Sequence, residues 1–163
     1  MADKSRFEDV NAYDQTDAMY LEFDFTGLNL DEFVFQKAQL DNCDFSNCTL
    51  RKSEFHVSFI VESDFYDCNL EMANFSGSAL FHVYFEDSQL SDTNFTNSSI
   101  NYVSFDRANL TGANFQAARF GPNVSFRNAN LTNVRFFSVD LSEVDLTGAV
   151  LTGAQMPDGT VHE

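Results

Sequence analysis

The chain has 163 residues and carries 25 aspartate and glutamate residues against 9 lysine and arginine residues, a formal net charge of −16. This length is that of a single domain, and so negative a surface repels nucleic acid and anionic membranes while favouring basic protein partners. No apolar stretch is long enough to cross a bilayer, and the start Met1–Arg6 lacks the layout of a secretory signal, so we expect a cytoplasmic protein.

Residues 1–19 precede the regular part of the sequence and are predicted to form an N-terminal cap. Within them, residues 5–19 are expected to be a short helix or an irregular segment. A stack of parallel strands exposes unpaired backbone groups at both ends, so such an end needs cover.

From residue 20 to residue 156 a large apolar side chain returns every five residues. A period of five matches neither a helix nor an isolated strand. It predicts a solenoid, in which each short repeat forms one side of a coil and cannot bury its apolar side chain alone. With the large residue called i, position i−2 is small and also points inward, whereas i−1, i+1 and i+2 are mostly polar and point outward.

A period of 20 residues lies on top of the period of five and sorts the large residues into four columns. Phenylalanine dominates the first and third sides of the predicted coil. The first side holds Phe25, Phe45, Phe65, Phe85, Phe105, Phe126 and Leu146, and the third holds Phe35, Phe55, Phe75, Phe95, Phe115, Phe136 and Met156. The second side (Leu30 to Leu151) and the fourth (Leu40 to Leu141) are mainly aliphatic. Two units per coil would also produce this alternation.

These units resemble the pentapeptide-repeat family, whose loose consensus is Ala-(Asp/Asn)-Leu-X-X, over about residues 20–156. The clearest matches are Ala108-Asn109-Leu110-Thr111-Gly112, Ala113-Asn114-Phe115-Gln116-Ala117 and Ala129-Asn130-Leu131-Thr132-Asn133. The resemblance implies an all-β fold, a right-handed quadrilateral parallel β-helix with four repeats to a coil. About seven coils with short N- and C-terminal caps are then expected, and Phe23, Leu28 and Phe33 would broaden and seal the first layer.

Interruptions of the repeat are few. The register slips by one residue at Gly121-Pro122-Asn123, which predicts a corner bulge, or alternatively a loop that contacts a partner. The repeat stops at Pro157, and residues 157–163 form the tail. Cys43, Cys48 and Cys68 all fall at i−2 and are expected to be buried reduced thiols, although a disulfide between Cys48 and Cys68 stays possible by distance.

No catalytic constellation is present in the sequence, which has no glycine-rich phosphate loop, nucleophile elbow or paired-histidine zinc motif. His56 and His82 fall at outward positions and His162 lies in the tail. We therefore expect no enzyme activity, no cofactor and no metal site.

Outward carboxylates gather on the first side of the predicted coil. Asp24, Asp44 and Asp64 occupy the same i−1 position in three consecutive coils, and Arg107 and Arg127 interrupt the run further on. The complete set, called the acidic side, is Asp24, Asp44, Asp64, Asp67, Glu86, Asp87 and Asp106. Three interpretations stay open: turn hydrogen bonds with solubility, docking of a basic partner, or cation binding.

The fourth side breaks the pattern of polar outward residues. Its outward apolar and aromatic residues, with those at the adjoining corner, are called the aromatic patch: Phe59, Val61, Phe81, His82, Tyr84 and Tyr102. Several such residues on adjacent coils indicate a protein-binding hot spot, or a surface that another segment of the chain covers.

The resemblance also implies a function. The best-understood relatives are acidic rods similar to B-form DNA in width and charge, which occupy bacterial type II topoisomerases such as DNA gyrase and confer quinolone resistance or toxin immunity. Residues 157–163 cannot supply the apolar C-terminal segment through which such relatives dimerise, so we expect a monomer or a weak homodimer. The Met156-Pro157-Asp158-Gly159 ending is similar to that of cyanobacterial members. Three hypotheses follow: a DNA mimic without direct nucleic-acid binding, a scaffold that binds a regulatory protein through the aromatic patch, or a structural or cation-binding role.

Overall fold

The computed structural model describes residues 16–163, which form one stack of parallel β-structure without any helix. Six short strands make a parallel sheet in sequence order. They are β1 Met19–Leu21, β2 Gln39–Asp41, β3 Phe59–Val61, β4 Ala79–Tyr84, β5 Ser99–Ser104 and β6 Arg119–Phe120. Paired residues lie 20 positions apart, as in Leu40 with Ile60, so four units make one coil and this sheet is the fourth side.

The other three sides pair through single bridges that are also 20 positions apart, except across the register slip, where pairs such as Ser104 with Ser125 are 21 positions apart. On the first side these bridges connect Asp24, Asp44, Asp64, Tyr84, Ser104, Ser125 and Asp145. The predicted parallel β-helix is confirmed, although the coil count differs slightly from the seven coils expected, because the sheet of the fourth side has only six strands. Its ladder ends at β6, next to Gly121-Pro122-Asn123, where proline provides no N–H donor.

The corners after the first, second and third sides are four-residue β-turns closed by a hydrogen bond. At Phe35–Ala38 the Ala38 N–H donates to the Phe35 carbonyl oxygen at 3.0 Å, and Lys37 has a φ of 56°. Left-handed backbone recurs at i+2 around the rod and brings each chain segment into the next side. Successive coils are then joined by bonds such as Phe35 N–H to the Glu54 carbonyl at 2.7 Å. The outward side chains therefore stand at fixed places on a regular frame.

The core consists of the predicted columns. All twelve phenylalanines from Phe25 to Phe136 at the first- and third-side i positions are fully buried. Within a column the rings stack, with Phe55 and Phe75 at 4.6 Å between centroids and 2° between planes. Between columns they meet edge to face, with Phe55 and Phe65 at 5.8 Å and 81°. Both arrangements are favourable for aromatic quadrupoles, so the interior is filled and recognition is left to the outer walls.

Cys43, Cys48 and Cys68 are buried thiols. Cys48 Sγ donates to the Phe25 carbonyl at 3.0 Å and Cys68 Sγ to the Phe45 carbonyl at 2.9 Å. Ser88, one coil later, donates in the same way to the Phe65 carbonyl. Burial also raises the pKa of the Cys68 thiol. These thiols therefore act as small hydrogen-bonding core residues.

The two ends differ in what can be described. Residues 1–15 lie outside the described part, and with them most of the predicted cap at residues 5–19. At the other end the tail turns back at Gly159 (φ 87°), and Val161 pairs antiparallel with Gln155. The His162 N–H donates to the Ala154 carbonyl at 2.8 Å, so the tail covers the last edge of the third side.

Candidate protein-binding surfaces

The acidic side begins as a ladder of aspartates. Asp24 pairs with Asp44, and Asp44 with Asp64, through the parallel bridges of the first side. The three carboxylates are therefore stacked about 4.8 Å apart, the spacing of neighbouring strands. Asp67, at the next corner, is more exposed than these half-buried residues.

A turn hydrogen bond explains part of this ladder. Asp44 Oδ1 accepts from the Ser46 N–H at 2.8 Å, and Asp24 Oδ1 accepts from the Thr26 N–H at 2.9 Å. On the third side Asn74 Oδ1 accepts the same bond from the Ser76 N–H at 3.0 Å. An uncharged amide thus satisfies the turn equally well, and the turn bond alone does not require the charge of the aspartates.

Carboxylates on this side repel one another. Burial, followed by the charge of Asp44, raises the pKa of Asp64. Burial also raises the pKa of Glu86, whose Oε2 is buried and has no hydrogen-bond partner among the described residues. Tyr66 is affected in the same way. Burial, followed by the charges of Glu86 and Asp64, raises the pKa of the Tyr66 hydroxyl to about 12, so this hydroxyl stays neutral. A cation brought to this surface would relieve the repulsion.

Arginines neutralise the far end of the acidic side. Arg107 donates two hydrogen bonds to Asp87, at 2.9 and 2.7 Å. Asp106 accepts from the backbone N–H of Arg127 at 2.9 Å and from the Ser125 hydroxyl. In contrast, Asp44, Asp64 and Asp67 contact no lysine or arginine within residues 16–163. The uncompensated charge is therefore concentrated in the N-terminal coils.

The aromatic patch forms a ring cluster on the fourth side. Phe59 is 59% exposed and Phe81 41% exposed, and Val61 pairs with Phe81 in the ladder. His82 stacks on Tyr102 with centroids 4.6 Å apart, and Phe81 meets both rings edge-on, at 4.5 Å from His82 and 5.2 Å from Tyr102. These contacts hold the rings of Phe81, His82 and Tyr102 in place.

Tyr84 lies away from that cluster and joins the acidic side. Its ring stacks on Tyr66 with centroids 6.0 Å apart and planes 11° apart. A shallow depression lined by Glu62, Asp64, His82 and Tyr84 lies at the corner between the two surfaces. The acidic side and the aromatic patch are therefore contiguous.

Several exposed apolar residues lie outside the aromatic patch that was defined from the sequence. Val57, beside Phe59 along the chain, is 56% exposed, and Met19 and Leu21 on the first described coil are also exposed. Val57 has a signal in the sequence, because the same i+2 column elsewhere holds Lys37, Gly77, Asn97, Ala117 and Ser138. Comparison down a column would have identified it.

Within residues 16–163, no group of three or more histidine, cysteine, aspartate or glutamate side chains converges to hold a metal ion. The described chain also contains no helix able to span a membrane.

Two family models match the chain in adjoining stretches. The one described as a pentapeptide repeat region matches residues 21–95, and the one described as pentapeptide repeats (8 copies) matches residues 88–121 and 123–156. The second match is interrupted at residue 122, which is the position of the register slip. No curated protein matches the chain.

Solved structures with a similar fold share little sequence with the chain. QnrB1, a plasmid-mediated fluoroquinolone resistance protein, is 20% identical with a TM-score of 0.52, over 84% of this chain and 71% of that one. HetL, a pentapeptide repeat protein involved in heterocyst differentiation regulation from the cyanobacterium Nostoc, is 17% identical with a TM-score of 0.44, over 99% of this chain and 100% of that one. At 20% identity the likeness to QnrB1 shows the fold alone.

Proposed function

Because the chain belongs to the pentapeptide-repeat family, we propose that it is a non-catalytic rod that binds a basic protein through the acidic side. The large apolar side chains at the i positions pack in the columns of the core. What varies from coil to coil is the outer wall, and there the charge is placed unevenly.

The aspartate ladder carries this proposal. Asn74, Asn94 and Asn114 make the same turn bond on the third side without charge. Three aspartates are stacked on the first side instead, and burial, followed by the charge of Asp44, raises the pKa of Asp64. A surface that opposes its own folded state in this way favours a role for the charge in binding.

The most specific form of the proposal is mimicry of DNA. Carboxylates repeated about every 4.8 Å along the rod approach the spacing of phosphates along one DNA strand, about 3.4 Å of helix axis. A type II topoisomerase such as DNA gyrase is the basic partner we propose. The fold similarity to QnrB1, a fluoroquinolone resistance protein, favours testing this partner first.

A gyrase supercoiling assay with and without a fluoroquinolone tests this form. We expect the protein to inhibit supercoiling or to protect it from the drug, and the variant D24N/D44N/D64N to lose at least about tenfold in potency. The variant D92N/D140N/E143Q removes the same number of charges elsewhere and should retain potency. No effect of the unaltered protein at large molar excess would reject gyrase as the partner.

A second candidate is an interaction scaffold that uses the aromatic patch. The exposure of Phe59 and Phe81 supports it, since exposed rings beside charge are typical of binding hot spots. In the variant F59S/F81N both residues become those found one or two coils away, Ser99 and Asn101, so the fold should be retained. Loss of a specific partner by this variant, with retention by D24N/D44N/D64N, would favour the scaffold over the mimic.

A structural or cation-binding role of the aspartate ladder is the third candidate. It predicts that millimolar calcium raises the melting temperature of the protein, and that D24N/D44N/D64N abolishes the rise. An unchanged melting temperature would dismiss calcium binding.

A further inference from the structure

The depression between the acidic side and the aromatic patch is lined by both carboxylates and aromatic rings. Its walls are Glu62 and Asp64 in one coil and His82 and Tyr84 in the next. Asp64 and Tyr84 are direct neighbours across a parallel bridge. Two carboxylates therefore face two aromatic rings across a single coil-to-coil step.

We propose that this depression takes an arginine side chain of a basic protein partner. The inference rests on the proposed function and gives it a specificity element. A guanidinium is flat and cationic, accepts stacking on aromatic faces and donates paired hydrogen bonds to carboxylates. Lysine shares the charge but lacks the planar fork, and its ammonium is more strongly hydrated.

The aromatic walls are held in position before any partner arrives. Tyr84 is stacked on Tyr66, with an angle of 11° between the planes. His82 is stacked on Tyr102 at 16° and is met edge-on by Phe81. Rings fixed by their neighbours lose little conformational entropy on binding. The site is therefore preorganised for a flat ligand.

The carboxylate walls lack a cation of their own in residues 16–163. The described ion pairs use Arg51, Lys52, Arg107 and Arg127, and none of these reaches Glu62 or Asp64. Burial and the charge of Asp44 raise the pKa of Asp64, and no positive group offsets them. An incoming guanidinium would supply the missing charge.

Adjacent coils show that this combination is local. One coil earlier the corresponding walls are Asn42 and Asp44 with Glu62 and Asp64, which offer acid without aromatic rings. One coil later they are His82 and Tyr84 with Tyr102 and Ser104, which offer rings without acid. Only the step between these coils provides both, so one arginine position is specified along the rod.

Fluorescence polarisation with labelled hexa-arginine, hexa-lysine and hexa-citrulline peptides at low salt tests the proposal. Hexa-citrulline keeps the shape of arginine without its charge. We expect hexa-arginine to bind about fivefold more tightly than hexa-lysine, and hexa-citrulline not to bind measurably. Tyr84→Ser should weaken hexa-arginine about fivefold and remove its advantage over hexa-lysine. Ser104 and Ser125 occupy the equivalent position, so the fold should be retained, as the melting temperature will verify.

Two controls separate this proposal from simpler explanations. Asp67→Asn removes one charge from the acidic side outside the depression and should change hexa-arginine affinity by less than about twofold. Equal binding of hexa-arginine and hexa-lysine, unaffected by Tyr84→Ser, would overturn the arginine site while leaving the acidic side intact as a binding surface. A rise in affinity for hexa-arginine without a matching rise for hexa-lysine in the variant K4S/R6S would also overturn it, because the chain's own N-terminal cations, rather than a partner, would then occupy the depression.

Discussion

Val57 combines a side chain and a backbone conformation that disfavour each other. It is β-branched, yet its φ is 60°, in the left-handed region where such residues are strained by about 1–2 kcal/mol. We predict that Val57→Asn, the residue at Asn97 in the same column, raises the melting temperature by about 2–4 °C in thermal unfolding. The reciprocal change Asn97→Val should lower it. Unchanged melting in both variants would show that the corner tolerates valine without strain.

Glu86 is a second residue that opposes the folded state. Burial raises its pKa, only partly offset by a hydrogen bond from the Ser104 side chain. The folded protein therefore holds this proton more tightly than the unfolded chain, and stability falls as pH rises from the ordinary glutamate value through the raised one. We predict that Glu86→Gln melts about 2 °C above the parent at pH 7, with no difference below about pH 4.

The control for this prediction is Asp67→Asn, which also removes one negative charge, but at an exposed position on the same side. If both variants gained equally, general relief of negative charge would explain the result. The buried Oε2 of Glu86 would then have no special effect.

At the scale of a single column, aspartate and asparagine are interchangeable as acceptors of the turn hydrogen bond. Asn74 Nδ2 donates to Glu54 Oε2 at 2.7 Å, so an aspartate at position 74 would bring two carboxylates together. We predict that Asp44→Asn raises the melting temperature by about 1–3 °C and that Asn74→Asp lowers it by a similar amount. Both differences should shrink in 1 M salt, where charges are screened beyond about 3 Å. Persistence of both differences in high salt would point to a non-electrostatic cause.

The phenylalanine columns behave as continuous elements rather than as separate residues. Phe75 is fully buried between Phe55 at 4.6 Å and Phe95 at 5.1 Å. We predict that Phe75→Ala costs about 3–5 kcal/mol in denaturant unfolding, because coils held by backbone hydrogen bonds cannot close the gap. Phe59→Ala, the same change at an exposed position, should cost less than about 1 kcal/mol. Similar losses in both would contradict the packed column.

The sequence predicts the columns because an inward residue must recur at each coil, and a strict period carries that information. The five-residue and 20-residue periods thus anticipate a solenoid, the burial of Phe65 and the position of the register slip, whereas the four-sided coil is implied by the family resemblance. They do not anticipate that Tyr84 stacks on Tyr66 rather than joining Phe81, because ring orientation depends on side-chain packing across coils. The antiparallel return of Val161 to Gln155 also lies beyond the repeat, since the tail has no period.

Over the whole molecule, the charge is unequal from side to side. The outward positions of the third side carry Glu54 with Lys37 and Arg135 and are close to neutral. The first side instead carries the carboxylates of the acidic side. Such an uneven field orients a basic partner as it approaches and raises the association rate more than the final affinity. Both candidate surfaces and the depression lie in the same coils, so one partner would meet all three together.

The burial of the inward residues also differs along the axis of the stack. Leu141, Val144, Leu146 and Leu151 in the last coil are only partly buried, in contrast to the fully buried columns before them. A solenoid behaves as a one-dimensional array whose ends open more easily than its middle. We predict that backbone amides of residues 44–126 exchange with deuterium at least about tenfold more slowly than those of residues 139–152. Equal exchange rates would mean that the rod opens as one cooperative unit; the expected gradient would mean that the coils bearing the candidate binding surfaces stay closed while the end frays.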